Sequence, residues 1–406
     1  MGAYTRYWDI YNMTMYLLKP GELTLKGGNR EGFEYILKRN ISALLRGTGA
    51  RVNLTRGRFF VHSPEGTEEQ VEYALGHSFG ISGWAKTRVC EKIPEAVINA
   101  CIEEGRLLYE KGIRTFKIEA RRTDKSFPLD SYKIRCAAGD ALCQAIPEFK
   151  VDVKKPQGII EVEIREKAYV YGNARQGLRG LPVGTAGRGL LLLSGGIDSP
   201  AAGYMMASRG MRLDAVYFHA WPYTSAEARQ KAVKLSEIVG TYCLGIRLFV
   251  VNFTPIELRI KERAPESWRT VLLRMAMMEC AERLAQSRGD KCLISGESLS
   301  QVASQTVENI ACTESRVTLP VFRPLIGMDK EQIIRLAETI GTYSTSILPY
   351  EDCCVLFSPT HPVLRGNPLE AGKLYDELET DELITRALEE CEVEKCSFTG
   401  GKKALA

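Results

Sequence analysis

The run Ser194-Gly195-Gly196-Ile197-Asp198-Ser199-Pro200 combines the residue types that hold a phosphate. Paired glycines let backbone N–H groups approach an anion, and Ser194 and Ser199 supply hydroxyls. The apolar run Leu190 to Leu193 precedes the loop, and Pro200-Ala-Ala-Gly-Tyr-Met-Met-Ala follows it. A buried strand that feeds a helix with an early proline would put the loop at the positive end of the helix dipole. The chain contains no G-x-x-x-x-G-K-[ST] and no G-x-G-x-x-G, which argues against γ-phosphate transfer and hydride chemistry. These features point to a nucleotide enzyme of another kind.

The elements that must position this loop follow from the pattern around it. From Leu190 onward apolar strand-like segments at Asp214 to Phe218, Ile246 to Phe253 and Cys292 to Ser295 alternate with helical ones. The spacing predicts a helix opened by a capping box at Thr224-x-x-Glu227, one opened by Thr254-Pro255 with Glu257, and a long one through Trp268 to Ala285. The fold class expected is therefore α/β with a doubly wound parallel sheet, and α+β ahead of it. Ligands of such sheets sit at the carboxyl ends of the strands, so loops at Ser194, His219, Asn252 and Gly296 are expected to converge on one crevice. The first part of the chain reads as a strand at Met15 to Leu18, a helix through Phe33 to Leu45, strands near Arg58 to His62, and a second mixed unit to about Asn173.

The 406 residues suggest two or three domains, and 45% hydrophobic with 26% charged residues is ordinary for a soluble globular protein. No apolar segment approaches a membrane span, and residues 1–12 do not resemble a signal peptide, so a cytoplasmic protein without a membrane partner is expected. Twelve cysteines without dense regular spacing fit free thiols in a reducing compartment. A net charge of +4 permits a nucleic-acid partner. Lys117, Arg121, Arg122 and Lys125, with Lys133, Arg135 and Phe127 near them, suit phosphate-backbone contact with some stacking. A solvated face balanced by Glu119, Asp124 and Asp130 reads equally well. The Gly- and Arg-rich stretch from Asn173 to Gly189 reads as a linker.

The SGGIDSP loop resembles the pyrophosphatase-loop ATP enzymes, which cleave between the α and β phosphates and form adenylates. Together with Leu18-Lys-Pro-Gly-Glu-Leu-Thr-Leu-Lys-Gly-Gly-Asn-Arg30 and Glu119-Ala-Arg-Arg-Thr-Asp-Lys-Ser-Phe-Pro128, it makes the chain similar to the tRNA 4-thiouridine synthetases over nearly everything after Asn12. The resemblance implies an extension at 1–12, a ferredoxin-like domain at 13–70, a tRNA-binding THUMP domain at 71–174, and a pyrophosphatase-loop domain at 175–406. It implies adenylation of uridine 8 of tRNA by ATP, brought as its magnesium complex, and sulfur transfer to give 4-thiouridine. A second expected role is transfer of sulfur to the thiamine sulfur carrier protein.

Residues are carried over position by position. Leu192, Leu193, Ser194, Gly195, Gly196, Ser199, Tyr217, Phe218, Arg274, Gly296 and Gln305 are expected around ATP, and Asp198 and Lys330 at the catalytic acidic and basic positions. Lys330 follows Asp329, a good N-cap, so a plain first-turn lysine is its competing reading. Cys353 matches the sulfur-bearing cysteine, and Cys354 beside it is the expected resolving thiol. Longer relatives end in a rhodanese-like domain, whereas this chain stops at Ala406, soon after Cys391 and Cys396. Sulfur is therefore expected either directly from a cysteine desulfurase or through a separate carrier. The absence of C-x-x-C and the presence of only four histidines weigh against a metal cluster. Whether the chain forms a homodimer is left open. Two rival readings are an adenylate-forming amide synthetase and a tRNA-binding module with a vestigial ATP site.

Overall fold

The computed structural model of the protein describes residues 13–25, 27–350 and 359–396. The chain divides into two compact units, one running to Gly180 and the other beginning at Leu181.

The first unit holds two five-stranded sheets. Strands β1 (Met13–Pro20), β2 (Arg51–Thr55), β3 (Arg58–Pro64) and β4 (Ile81–Lys86) form an antiparallel sheet in the order β4-β1-β3-β2, with helices Arg30–Leu44 and Glu68–Gly76 connecting them. β4 lies beyond residue 70 in sequence yet pairs with β1, Leu17 opposite Ala85. The second sheet begins with β5 (Arg88–Cys90), β6 (Thr115–Arg122), β7 (Lys150–Val151), β8 (Gly158–Ile164) and β9 (Ala168–Gly172), ordered β5-β9-β8-β6-β7. Helices Pro94–Glu110 and Ser131–Ala145 bury Val97, Cys101, Ile134 and Leu142 against Phe116 and Ile118 of β6. A short β10 (Arg175–Gln176) returns to the first sheet and pairs with β4.

The Phe127 expectation fails here. Phe127 is buried in the core between helix and β6, and Arg122 donates to the Phe127 and Leu129 carbonyls at 2.8 and 3.3 Å. A phenyl ring adjoining a basic strand has more to gain from that core than from exposure for stacking.

The second unit contains a six-stranded sheet. Its strands are β11 (Arg188–Leu192), β12 (Arg212–His219), β13 (Ile246–Asn252), β14 (Leu293–Ile294), β15 (Val321–Phe322) and β16 (Glu392–Cys396), ordered β15-β14-β11-β12-β13-β16. All neighbours are parallel except β13 and β16. The chain builds outward from β11 to β13, then crosses back to place β14 on the other side of β11. This reversal between β11 and β14 is the switch point at which such sheets open a crevice. Leu190 and Leu191 are fully buried, as a leucine run covered on both faces requires.

One helix start differs from expectation, while the other is met at Thr254-Pro255. The helix after β12 spans Ala226–Cys243 and is capped by Ser225, whose hydroxyl accepts from the Ala228 N–H. Thr224 instead closes the preceding loop, accepting from the Ala220 N–H at 3.0 Å. Thr254 begins the helix Thr254–Arg263 from inside its first turn and donates to the Trp221 carbonyl. The long helix spans Arg269–Arg288 and is nearly surrounded by core.

Candidate active site

A cavity of about 410 Å³ opens at the carboxyl ends of β11 and β14. Leu192, Leu193, Ser194, Asp198 and Ser199 line it from the loop and the first turn of the helix Asp198–Ser208. Tyr217 and Phe218 contribute from the end of β12, Arg274, Met277 and Met278 from the long helix, and Ser295 to Glu297 from the loop after β14. Gln301, Val302 and Gln305 complete the lining. His219 and Asn252 do not belong to it, contrary to expectation. They sit opposite one another at the ends of β12 and β13, one strand beyond the switch point, and Asn252 accepts from the Thr254 N–H.

The loop is braced by its own serines. The Ser194 N–H donates to Ser199 Oγ at 2.8 Å, the two hydroxyls are 3.0 Å apart, and the Gly196 N–H donates to Ser194 Oγ at 3.3 Å. Gly195 and Gly196 thus shape the loop from outside the cavity lining. Gly296 is required by close approach: a β-carbon there would stand 2.6 Å from the Ser199 N and 2.7 Å from its Cα. The β14 loop therefore lies directly against the helix N-terminus, where backbone N–H groups and the dipole favour an anion.

Asp198 and Lys330 come together across 132 positions of sequence. Lys330 Nζ donates to Asp198 Oδ1 at 2.7 Å, and Gln301 Nε2 donates to Oδ2 at 2.9 Å. Lys330 opens the helix Lys330–Ile340, which Asp329 and Gln332 close with a reciprocal capping box. The cap holds the helix start, and with it the lysine, beside the loop. This ammonium is partly exposed beside the cavity.

Beneath the cavity Glu297 is buried and pairs with both Arg274 and Arg323, the latter at 2.6 Å, while Arg323 also pairs with Glu314. Burial alone would raise the Glu297 pKa, but the two guanidinium groups outweigh it and hold the carboxyl below its ordinary value. The Gln305 carbonyl oxygen is buried in the lining with no hydrogen-bond partner among the described residues. Such an acceptor suits the exocyclic amine of an adenine. Gln301, Glu297, Arg323, Met277 and Met278 escaped the sequence reading. A hint existed only for Glu297, which sits inside the Ser-Gly-Glu-Ser segment.

Of the basic cluster, Arg121 at the end of β6 and Lys125 in the turn after it are exposed, whereas Lys117 pairs with Glu119 at 3.0 Å and Arg122 is occupied by the two carbonyls already described. Cys353 and Cys354 lie outside the described residues. Six of the ten described cysteines are buried. Desolvation pushes the thiols of Cys243 and Cys280 well up, and those of Cys292 and Cys391 to about 11, so they stay protonated and unreactive. No helix among the described residues is long and apolar enough to cross a membrane.

Comparison with known proteins identifies the family and its domains. Residues 184–380 match the family model described as "Thiamine biosynthesis protein (ThiI)", residues 15–85 the ThiI ferredoxin-like domain, and residues 91–172 the THUMP domain. The chain is 48% identical over 377 residues to a "Probable tRNA sulfurtransferase" of Treponema pallidum (strain Nichols), covering 92% of this chain and 94% of that protein. A counterpart of the same name from Caldanaerobacter subterraneus subsp. tengcongensis is 46% identical over 350 residues, covering 86% and 91%. Among solved structures, a 4-thiouridine synthetase in complex with RNA and bound ATP superposes with a TM-score of 0.87 at 35% identity, covering 94% of this chain and 99% of that one.

Proposed function

The chain belongs to the ThiI family of tRNA sulfurtransferases, and from that premise we propose how its residues carry out ATP-dependent sulfur transfer to tRNA. The substrate in this reading is uridine 8, whose C4 oxygen attacks the α-phosphate of magnesium-bound ATP. Pyrophosphate leaves and an adenylated tRNA remains. The observation that carries the reading is the Asp198–Lys330 pair set at a cavity that opens on a helix N-terminus. Adenine would lie between Tyr217, Phe218 and Gln305, and the triphosphate would run toward Ser194 and Ser199. Lys330, drawn from Asp198 to the phosphates, would neutralise charge as pyrophosphate departs, leaving Asp198 and Gln301 to orient the magnesium complex.

The second half-reaction falls to Cys353. A persulfide on Cys353, loaded by a cysteine desulfurase, attacks C4 through its terminal sulfur and expels AMP. The thiolate of Cys354 then attacks Cys353 Sγ, breaking the S–S bond to the base. The base keeps the terminal sulfur as its thiocarbonyl, and a Cys353–Cys354 disulfide forms that an external thiol reduces. The same persulfide could serve the thiamine sulfur carrier protein. Arg121 and Lys125, both exposed, are the cations of this cluster that would meet tRNA phosphates. A cytoplasmic setting fits such a substrate.

The test is thiolation of unmodified tRNA with ATP, magnesium, cysteine and a desulfurase, followed by 4-thiouridine absorbance in wild type, Lys330→Met and Cys353→Ser. The expected result is AMP release lost in Lys330→Met, and AMP release kept with thiolation lost in Cys353→Ser. ATP turnover that is indifferent to tRNA would overturn the reading in favour of another adenylate-forming synthetase.

A further inference from the structure

Lys231 is a lysine where a globular protein seldom puts one. It lies on the helix Ala226–Cys243 with only 7% of its surface exposed. Its ammonium does not reach outward to solvent. It donates to the Leu348 carbonyl at 2.8 Å and to the Tyr350 carbonyl at 3.3 Å, partners nearly 120 positions away. Burying an ammonium is costly unless hydrogen bonds replace its water, and a hydrocarbon side chain would fill the space with less penalty. The position therefore calls for a task that only a multiple donor performs.

The segment it holds is distinctive. Leu348-Pro349-Tyr350 makes a tight turn in which the Tyr350 N–H donates to the Leu348 carbonyl at 2.8 Å. Its side chains contribute little anchorage: Ile347, Leu348 and Tyr350 are all exposed. What holds it is polar. Ser346 Oγ donates to the carbonyl of Gly196, in the phosphate loop itself, at 3.2 Å. Tyr242, on the same helix as Lys231, reaches the Ile340 carbonyl at 3.5 Å. The chain is thus tied at one point to the nucleotide loop and at the next to a buried cation, immediately before it continues toward Cys353.

We propose that Lys231 is a positioning residue for sulfur transfer, its ammonium holding the Leu348–Tyr350 turn in register with the phosphate loop so that the following cysteine is delivered to the activated base. The proposal rests on the reading that Cys353 carries the sulfur. Lys231 touches neither nucleotide nor tRNA in this scheme and takes no part in adenylation. It acts only on the second half-reaction, where a misplacement of the nucleophile by about 1 Å can cost on the order of 100-fold in rate.

The two half-reactions give the test. In single-turnover assays with excess enzyme, Lys231→Met should keep tRNA-dependent AMP formation within about twofold of wild type while thiolation slows about 100-fold, and Lys231→Arg should recover part of that loss. Thiolation at the wild-type rate in Lys231→Met, or AMP formation and thiolation falling in parallel, overturns the proposal. Should Lys231→Met fail to fold, Ser346→Ala loosens the other tie and should slow thiolation about tenfold, and wild-type thiolation there overturns it equally. Cys353→Ser is assayed alongside. Wild-type thiolation by Cys353→Ser would remove the cysteine reading and the proposal together, whereas its loss beside an unaffected Lys231→Met removes the role of Lys231 alone.

Discussion

At the carboxyl ends of β11 and β14, Glu297 is buried between Arg274 and Arg323, and its carboxyl is held below its ordinary pKa. At the amino ends of β11, β12 and β13 two acids, Asp214 and Asp290, are buried with a different outcome. Asp214 is gripped bidentately by Arg247, while Asp290 has Arg188 at 3.8 Å and, among the described residues, neither of its oxygens accepts a hydrogen bond. Burial and the neighbouring Asp214 push Asp290 up to about 6. The two poles of one sheet thus show that burial beside arginine does not by itself determine an acid's state. Glu297 is bonded directly by two guanidinium groups, one of which, Arg323, also reaches Glu314 with a different nitrogen. Asp290 shares its cations with a stronger competitor that already holds the better geometry.

The comparison predicts where substitution hurts most. Glu297→Gln leaves the half-buried Arg274 without its carboxylate partner and Arg323 with Glu314 alone, and should cost about 3 kcal/mol of stability. Urea unfolding would measure it, with a parallel loss of ATP affinity in calorimetry because Arg274 lines the cavity. A loss no greater than that of an exposed ion pair would break the comparison, showing the glutamate pole to be as loosely compensated as the aspartate pole.

Lys330→Met probes the same pole at its wet edge. The Lys330–Asp198 pair is partly exposed, with 44% of the lysine side chain accessible, so its removal should change stability by less than about 1 kcal/mol. Its effect should fall on chemistry, lowering the rate of AMP formation by about 100- to 1000-fold. Thermal unfolding beside a single-turnover assay separates the two. A large stability loss with little change in rate would make Lys330 the surface lysine that its place after Asp329 first suggests.

Much of this cleft was readable from sequence because local chemistry specifies it. The SGGIDSP loop requires its own glycines and serines, and Leu190 to Leu193 announces a strand covered on both faces. Ser-Gly-Glu-Ser marks the facing loop because Gly296 must admit the Ser199 backbone. Partners that meet only through the fold left no such trace. Gln301 reaches Asp198 across 103 positions and Arg323 reaches Glu297 across 26, distances at which spacing carries no information. Neighbouring donors also confused the reading. Thr224 and Ser225 are both good caps, and the Ala220 loop claims the first, leaving the helix to the second. Phe127 misled for the opposite reason: its place among cations suggested stacking, while the core of its own domain needed the ring.

Asp290→Asn should have the smallest effect and the opposite sign. With a folded pKa of about 6 against an ordinary 3.8, Asp290 binds a proton more readily in the folded protein. Its contribution to stability is therefore fully present below about pH 4 and is lost as pH rises through about 6, so the ionised form burdens the fold at neutral pH. Asparagine removes that burden and should stabilise the protein by about 1 to 2 kcal/mol at pH 7.5, the gain shrinking toward zero as pH falls to about 4. Glu297 behaves in reverse. Its lowered folded pKa gives stability that is present above the ordinary carboxylate value of 4.5 and lost as pH falls through the folded value. Unfolding curves from pH 4.5 to 7.5 sharpen the comparison, since acidification across that window strengthens the amino-end pole before it weakens the cleft. A destabilised Asp290→Asn at pH 7.5 would mean that Arg188 compensates this carboxylate after all, and the two poles would then differ only in distance.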